Sequence, residues 1–332
     1  MLYLSIFLFI FLLWVIMKPQ YIGDFSKETT LPLRGVLALL IVLHHLSLRL
    51  TFMIPEDSNV NYLRDFNSWG EPIVSVFFFM SGYGIIKSYQ KKGKGYLDSF
   101  LSGRLLKLMI PFIICCVCYY PFSSYTFSSI ISLETWKADC PFLPSSWFVI
   151  AIFVLYLIFY MSARLFPKVG WTIAFAWMLS ISLMILLEEI GFKTFWWHNI
   201  IALNVGMSIS SHEDIFRKFL LSRKVLILFC VVLLFSFWEP LVLDISDKWL
   251  FLPKVILLPI FVWQLICYRK YNGMSLFDWF GNISYEVYLV HVAILSFLYE
   301  SIGGYPILLI VLTYVLSLMC AYVLNQLVRK II

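Results

Sequence analysis

The amino-acid sequence predicts an all-α protein, built as a polytopic integral membrane helical bundle. Hydrophobic residues make up 61% of the 332-residue chain and charged residues only 13%, which is more apolar material than a soluble domain of this length buries. The apolar residues recur in runs close to the ~20 residues that a helix needs to cross a bilayer. Runs such as residues 8–16 do not alternate polar and apolar side chains, which argues against a membrane β-barrel.

The apolar runs predict about 10 to 11 transmembrane helices, all within a single membrane domain at residues 1–332. Residues 1–17 form an additional amino-terminal span ahead of a core at about 30–330. The first run lacks a basic n-region and a small-residue cleavage site, so we interpret it as an uncleaved span rather than a signal peptide. The predicted spans are Leu2–Met17, Gly35–Met53, Pro72–Ile86, Leu105–Phe122, Ser146–Met161, Trp171–Leu187, Trp196–Ser210, Val225–Trp238, Leu250–Cys267, Ile283–Tyr299 and Tyr305–Leu327.

The distribution of charge predicts the orientation of the chain in the membrane. The formal net charge is +6, and the basic residues concentrate in alternate loops, including 87–104 and 211–224. Cytoplasmic loops carry the excess of Lys and Arg in membrane proteins. The amino terminus is therefore expected outside and the carboxyl terminus in the cytoplasm. Because the basic residues orient the spans, they predict a lipid bilayer as partner and no nucleic acid.

The cysteines predict neither disulfides nor a metal site. Six of the seven lie within apolar runs, and Cys140 lies in a loop, so no water-facing pair is available to oxidise. Cys115 and Cys118 are one helical turn apart, but no further ligand type accompanies them. We interpret them as small buried hydrophobic residues.

The second span carries His44 and His45 among apolar residues, and Arg34 lies at its cytoplasmic mouth. Ionisable residues inside a membrane are costly and are by default functional. At about 100° per residue, Arg34 and His45 lie roughly 20° apart on one helix face, whereas His44 lies roughly 80° away. We therefore select Arg34 and His45 as the catalytic candidates. The alternative is a snorkelling arginine and histidines that only join neighbouring helices.

The tenth span places His291 at about the same depth as His45, since each lies roughly 15 Å from the cytoplasmic side. Ser284, Tyr288 and His291 form a polar stripe along this helix, whereas Glu286 points elsewhere. Such a stripe faces a cavity or another polar helix. His291, Tyr288 and Tyr285 are candidates for lining a substrate channel or for stabilising a thioester oxyanion. The alternative is that these side chains only satisfy each other across helices.

The third span contains Ser81, Gly82 and Gly84 within a run of phenylalanines. The glycines predict close approach of this backbone to a neighbouring helix or a ligand. Ser81 is a further substrate-channel candidate. The alternative interpretation makes Ser81 a nucleophile, but close helix packing explains the same motif without chemistry.

A basic segment follows the third span on the predicted cytoplasmic side. Arg104 and Lys107 lie one turn apart at the beginning of a helix, where they suit the phosphates of a nucleotide-like donor. We therefore predict that Arg34, Arg104 and Lys107 bind the donor. The lysines of the same segment also have the ordinary role of orienting the spans.

Taken in order, five segments resemble the acyltransferase-3 family of bacterial integral-membrane acyltransferases, particularly the surface polysaccharide O-acetyltransferase type. The segments are RGVLALLIVLHH, FFFMSGYGIIKSY, GRLLKLMIP, SSWFVIAIFVLYL and GNISYEVYLVH. In that family an arginine and a histidine separated by ten residues are the catalytic hallmark, and they fall here on Arg34 and His45. The extra amino-terminal span and the lack of a fused periplasmic domain are departures from the family pattern.

The resemblance implies an O-acyltransferase in the bacterial cytoplasmic membrane. The donor would be acetyl-CoA or a related acyl-CoA, and the acceptor a hydroxyl of a cell-surface or lipid-linked glycan. His45 would act as general base, and a transient acyl-histidine remains an alternative. Two other functions stay open: a transporter or flippase of lipid-linked oligosaccharide, and a membrane glycosyltransferase using Glu71 or Glu286.

The predicted orientation is testable by single-cysteine labelling of intact cells. A cysteine that replaces Lys92 lies in a loop predicted to be cytoplasmic, so a membrane-impermeant maleimide should not modify it until the cells are opened. A cysteine that replaces Ser128, in a loop predicted to be external, serves as the matched control and should be modified at once. Modification of the Lys92 position in intact cells would reverse the orientation.

Overall fold

The computed structural model describes residues 23–51, 61–123, 126–242, 251–268 and 275–331. Within these ranges all regular structure is helical, which confirms the predicted all-α class. Numbered in chain order, the helices are α1 Lys27–Thr51, α2 Gly70–Lys92, α3 Lys94–Asp98, α4 Leu106–Tyr119, α5 Phe127–Ile131, α6 Leu133–Ala138, α7 Trp147–Leu165, α8 Val169–Ile190, α9 Phe195–His198, α10 Ile200–Ser211, α11 Glu213–Leu220, α12 Arg223–Val242, α13 Phe251–Tyr268, α14 Ser275–Asn282, α15 Ser284–Ile302 and α16 Pro306–Ile331.

Length and hydropathy identify six of the described helices as able to cross a membrane. They are α1, α7, α8, α15, α16 and the continuous helical segment Leu101–Phe122, which contains α4. Shorter apolar stretches occupy Lys224–Leu233 in α12 and Lys254–Tyr268 in α13. Several such helices in one chain make this a multi-pass membrane protein, because each is long and apolar enough to cross the hydrocarbon core.

Some boundaries differ from the sequence-based prediction. The predicted span Trp196–Ser210 is divided at Asn199 into the short α9 and the longer α10, at a residue type that favours turns over helix interiors. Helix α2 continues beyond the predicted Pro72–Ile86 to Lys92. The predicted span Leu2–Met17 lies outside the described residues.

Helix α2 lies at the centre of the larger apolar core and contacts α10 and α13 extensively. Phe78 and Phe79 are fully buried there. A second core, which includes Leu46 and Leu309, joins α1, α15 and α16. Helix α1 also packs along α14 and contacts α2. The chain thus brings the arginine and histidines of α1 between the two cores.

Two glycines allow α2 and α10 to cross with their backbones in contact. A Cβ atom on Gly82 would collide with the carbonyl group of Leu203, and one on Gly206 would collide with the carbonyl group of Phe79. Neither backbone can yield as a flexible side chain would. This crossing confirms the expected close approach of the third span to a neighbour. It also fixes the side of α2 that carries Ser81.

Gly206→Ala should therefore destabilise the protein, because the new methyl group forces the two helices apart at a cost of about 1 to 3 kcal/mol. Gly84→Ala is the matched control, since the nearest heavy atom to its Cβ would be Arg104 Nη2 at 3.9 Å. The melting temperature and the folded yield in detergent measure the difference. A Gly206→Ala protein as stable as Gly84→Ala would contradict the close crossing.

Candidate functional site

A cavity of about 1010 Å³ opens between α1, α2, α4, α7 and α15. This volume suits a ligand larger than most drug-sized molecules. Its charged lining is mostly basic, with two carboxylates, and comprises Lys27, Arg34, Lys87, Arg104, Lys107, Asp24 and Glu213. The cavity therefore favours an anion with several charges.

The two arginines occupy the interior of this cavity. Arg34 projects from α1, and Arg104 comes from the π-helical turn Leu101–Leu105 that precedes α4. The Arg104 Nε donates a hydrogen bond to the Tyr156 hydroxyl at 3.4 Å, and its guanidinium lies 5.4 Å from the centre of the Tyr156 ring. Both guanidinium groups line the same cavity, so two like charges face one volume. An anion bound in that volume would offset their repulsion.

Lysines surround the mouth of the cavity, and one of them belongs to an ion-pair network. Lys87 forms a salt bridge with Glu213, whose other oxygen pairs with Arg217 at 2.6 Å. Arg217 also donates to the carbonyl oxygen of Gly23 at 2.9 Å. This network joins α2, α11 and the segment that leads into α1, so it shapes the cavity entrance.

The sequence prediction missed Lys87, Glu213 and Tyr156. Lys87 follows Ser81 and Gly84 at the i, i+3 spacing that places residues on one helix face, so the motif itself could have indicated it. Glu213 lies far along the chain and meets Lys87 only in the folded protein. Tyr156 is one of many aromatic residues in an apolar span and has no distinguishing sequence feature.

The histidines lie beside the cavity and do not line it. The ring centres of His45 and His291 are 5.0 Å apart, and those of His44 and His45 are 4.8 Å apart. His45 and His291 therefore share the predicted depth, and their rings are also in direct contact. His44 Nδ1 lies 2.9 Å from the carbonyl oxygen of Phe66, and its ring packs against Gly70 at the beginning of α2. His44 thus has a structural environment distinct from that of His45.

Tyr288 connects the cavity to the histidines. Tyr285 and Tyr288 both line the cavity, and the Tyr288 ring centre lies 5.8 Å from that of His291. Each hydroxyl donates to a backbone carbonyl at 2.7 Å, Tyr285 to Leu108 and Tyr288 to Ser145. Because a phenol has a single hydrogen to donate, neither hydroxyl is available to stabilise an oxyanion in this conformation.

Ser81 and Ser284 also line the cavity. The Ser284 hydroxyl donates to the Gly281 carbonyl oxygen at 2.9 Å. A nucleophilic serine needs a base within hydrogen-bond reach, and the histidines of α1 and α15 are not among the residues that line the cavity with Ser81. Ser81 therefore stays a channel-lining candidate.

The remaining acidic candidates lie away from the cavity. Glu71 Oε2 is 3.0 Å from His198 Nδ1, and Glu286 Oε1 accepts a hydrogen bond from Asn325 at 2.8 Å. Neither carboxylate lines the cavity. Their engagement in separate helix contacts does not support the glycosyltransferase alternative, which needs a carboxylate at the substrate. In the described ranges no group of three or more histidine, cysteine or carboxylate side chains is arranged so that it could hold a metal ion.

The Glu213 network makes a stability prediction. Burial alone would raise the pKa of the Glu213 carboxyl, but hydrogen bonds from Lys87, Tyr83 and Arg217 together hold this pKa below its usual value. A carboxylate with a lowered pKa stabilises the fold above its unfolded-state pKa of about 4.3 and loses that contribution as the pH falls through the folded-state pKa. Glu213→Gln should therefore lower the melting temperature at pH 7.

The melting temperatures of Glu213→Gln and wild type should converge as the pH falls below about 4. Glu134→Gln is the matched control, because Glu134 is exposed and forms only an i,i+3 pair with Lys137. This substitution should leave the melting temperature nearly unchanged. A difference between Glu213→Gln and wild type that persists unchanged at low pH would rule out the ionised network as its cause.

The sequence matches a known protein-family model. The acyltransferase-3 model, described as an acyltransferase domain, matches residues 33–326, nearly the whole chain. It begins one residue before Arg34 and includes α15 with His291. Neither curated proteins nor solved structures gave a match.

Proposed function

Because this chain belongs to the acyltransferase-3 family and is a multi-pass membrane protein, we propose that it is an O-acyltransferase of the bacterial cytoplasmic membrane. The proposed donor is acyl-CoA, with acetyl-CoA as the first choice, and the proposed acceptor is a hydroxyl of a cell-surface or lipid-linked glycan. The amino terminus faces outward and the carboxyl terminus lies in the cytoplasm. A single membrane domain of residues 1–332 carries the activity.

One observation supports this proposal above all: a large basic cavity leads from exposed lysines to the side chains beside the His45–His291 pair. Lys27, Lys87 and Lys107 lie at its mouth and Arg34 and Arg104 lie inside. A coenzyme A carries several phosphate charges on one end and a long pantetheine arm with the thioester on the other. The basic cavity suits the phosphates, and the arm would extend past Tyr285 and Tyr288.

The proposed reaction is direct transfer with His45 as the base. The acceptor hydroxyl gives its proton to a neutral His45 nitrogen as its oxygen attacks the thioester carbonyl carbon. The carbon–oxygen bond forms, the tetrahedral intermediate collapses, and the carbon–sulfur bond breaks. The proton then passes from His45 to the departing thiolate. Tyr288, Tyr285 and Ser81, which line the cavity, and His291, which lies beside it next to His45, are the proposed channel residues.

The donor and acceptor are tested by following label from acetyl-CoA. Membranes that contain the protein, incubated with acetyl-CoA labelled in the acetyl group, should transfer label to endogenous glycan, and mild alkali should release it as acetate because an O-ester is base-labile. Membranes without the protein are the control. Movement of lipid-linked saccharide across the membrane without any acyl transfer would instead favour the flippase alternative.

The two adjacent histidines should differ in their importance. Loss of a general base lowers rates by about 10² to 10⁴, so His45→Ala should abolish measurable transfer at near-normal protein abundance. His44→Ala should keep much of the activity, because His44 contacts the Phe66 carbonyl and Gly70 rather than His291. Transfer is measured per unit of membrane protein. Full activity in His45→Ala would remove His45 from the chemistry.

Arg34 should tolerate no replacement. Arg34→Lys should lose almost as much activity as Arg34→Ala, because an ammonium cannot reproduce a planar bidentate donor. The measurement is again acetyl transfer per unit of protein, with blotting to confirm insertion. Lys27→Arg, at the exposed mouth of the same cavity, is the matched control for a change of cation and should retain activity. Near-normal transfer by Arg34→Lys would reduce the role of Arg34 to that of a simple point charge.

Arg104 should serve the donor and not the acceptor. A charge-assisted phosphate contact contributes about 1.5 to 3 kcal/mol, so Arg104→Ala should raise the KM for acetyl-CoA by roughly ten- to hundredfold. Arg164→Ala, which removes an exposed arginine paired with Asp98, controls for loss of a cytoplasmic charge. If the KM for the acceptor rises while that for acetyl-CoA stays constant, the assignment is reversed.

A further inference from the structure

The hydrogen bonds of His291 determine which of its nitrogens carries a hydrogen. His291 Nδ1 lies 2.8 Å from the carbonyl oxygen of Tyr288 and 3.0 Å from that of Val287. A carbonyl oxygen only accepts hydrogen bonds, so Nδ1 must be the donor. A neutral imidazole has one N–H. In neutral His291, Nε2 therefore presents a lone pair and cannot donate.

Among the described residues, the Nε2 atom of His291 has no hydrogen-bond partner, and His291 is buried, with only 1% of its surface exposed. A buried acceptor left unpaired is unfavourable, and a buried unpaired imidazolium is much more so. His291 is therefore neutral, and its lone pair needs a donor. This geometry also excludes neutral His291 as a hydrogen-bond donor to a thioester oxyanion.

The neighbouring rings leave His45 as the donor. The Tyr288 hydroxyl already donates to the Ser145 carbonyl, so it has no hydrogen to offer. The His44 Nδ1 faces the Phe66 carbonyl, which by the same argument makes its Nε2 an acceptor too. The His45 ring is 5.0 Å from that of His291, at an interplanar angle of 52°. Two imidazoles joined by one N–H···N bond have their centres about 5 Å apart.

We propose that His291 is a positioning residue for His45, whose ring N–H it accepts at Nε2. The histidine χ2 torsion is soft, so a rotation of the His45 ring closes this bond. The other His45 nitrogen then keeps its lone pair and takes the proton of the acceptor hydroxyl. His291 stabilises the resulting imidazolium by the same bond and undergoes no net change. The expected effect on the reaction rate rests on the proposed function. The hydrogen bond between His45 and His291 does not depend on it.

Nitrogen-15 NMR of the full-length protein in lipid vesicles tests the hydrogen bond between His45 and His291 directly, because it reports which ring nitrogen carries the hydrogen. The chain has five histidines. Each histidine is replaced by Gln in turn, and the ring signal that disappears is assigned to that residue. Wild-type His291 should be the Nδ1-protonated neutral tautomer, and wild-type His45 a single tautomer. In His291→Phe, His45 should become a mixture of tautomers. A charged or Nε2-protonated His291, or a His45 unchanged in His291→Phe, would overturn the proposal.

A kinetic experiment compares a replacement of His291 that can still accept a hydrogen bond with one that is apolar. His291→Gln keeps a carbonyl oxygen that can accept from His45, so its kcat should fall by no more than about tenfold, whereas that of His291→Phe should fall about a hundredfold or more. The KM for acetyl-CoA should stay within about twofold in both. Val292→Ala, the adjacent buried residue, controls for altered packing and should keep near-normal kcat.

Two outcomes separate this inference from the proposed function. If His291→Gln is no better than His291→Phe, or if both equal wild type, the positioning role is wrong although acyl transfer stands. If wild-type protein transfers no acetyl label, the proposed function fails, and the NMR comparison still decides whether His291 fixes the tautomer of His45.

Discussion

A guanidinium placed within an apolar membrane helix must face water, an anion or a polar neighbour, and this requirement at Arg34 organises the site. Helix α1 is a 25-residue apolar helix, and an unsatisfied arginine there would cost several kcal/mol at least. The structure meets the requirement with a cavity that also holds Arg104. Together with α1, helices α2, α4, α7 and α15 surround this volume and leave it open instead of filling it with side chains.

The same packing that leaves the cavity open makes its walls rigid. The α2–α10 crossing at Gly82 and Gly206 holds the face with Ser81 in place. On the opposite side, Tyr285 and Tyr288 are anchored by hydrogen bonds to the carbonyls of Leu108 and Ser145. Preorganised walls reduce the ordering needed when a large flexible donor binds. In our account the fixed parts are the two tyrosines and the Lys87–Glu213 ion pair, and the exposed side chains of Lys27 and Lys107 adapt to the donor.

The sequence alone predicts the fold class and most helix positions, because hydropathy is a local property. Helical periodicity also predicts that Arg34 and His45 share one face of α1, but in the structure Arg34 lines the cavity and His45 lies beside it. It also predicts that His45 and His291 share a depth, since both can be counted from the cytoplasmic side. It does not predict that they touch, nor that Glu213 meets Lys87, because such pairs depend on how helices distant in the chain pack. The sequence does not predict the break between α9 and α10 at Asn199, because hydropathy is averaged over several residues and a break of one residue does not change the average. The tautomer of His291 needs atomic positions and has no sequence signature.

The central claim is that one molecule of donor spans from the arginines to the histidine pair. Electron cryomicroscopy of the full-length protein with coenzyme A bound tests it most directly. The account predicts phosphate density between Arg34 and Arg104, pantetheine density along Tyr285 and Tyr288, and the sulfur next to His45. Coenzyme A bound outside this cavity, or with its sulfur directed away from His45, would contradict the account.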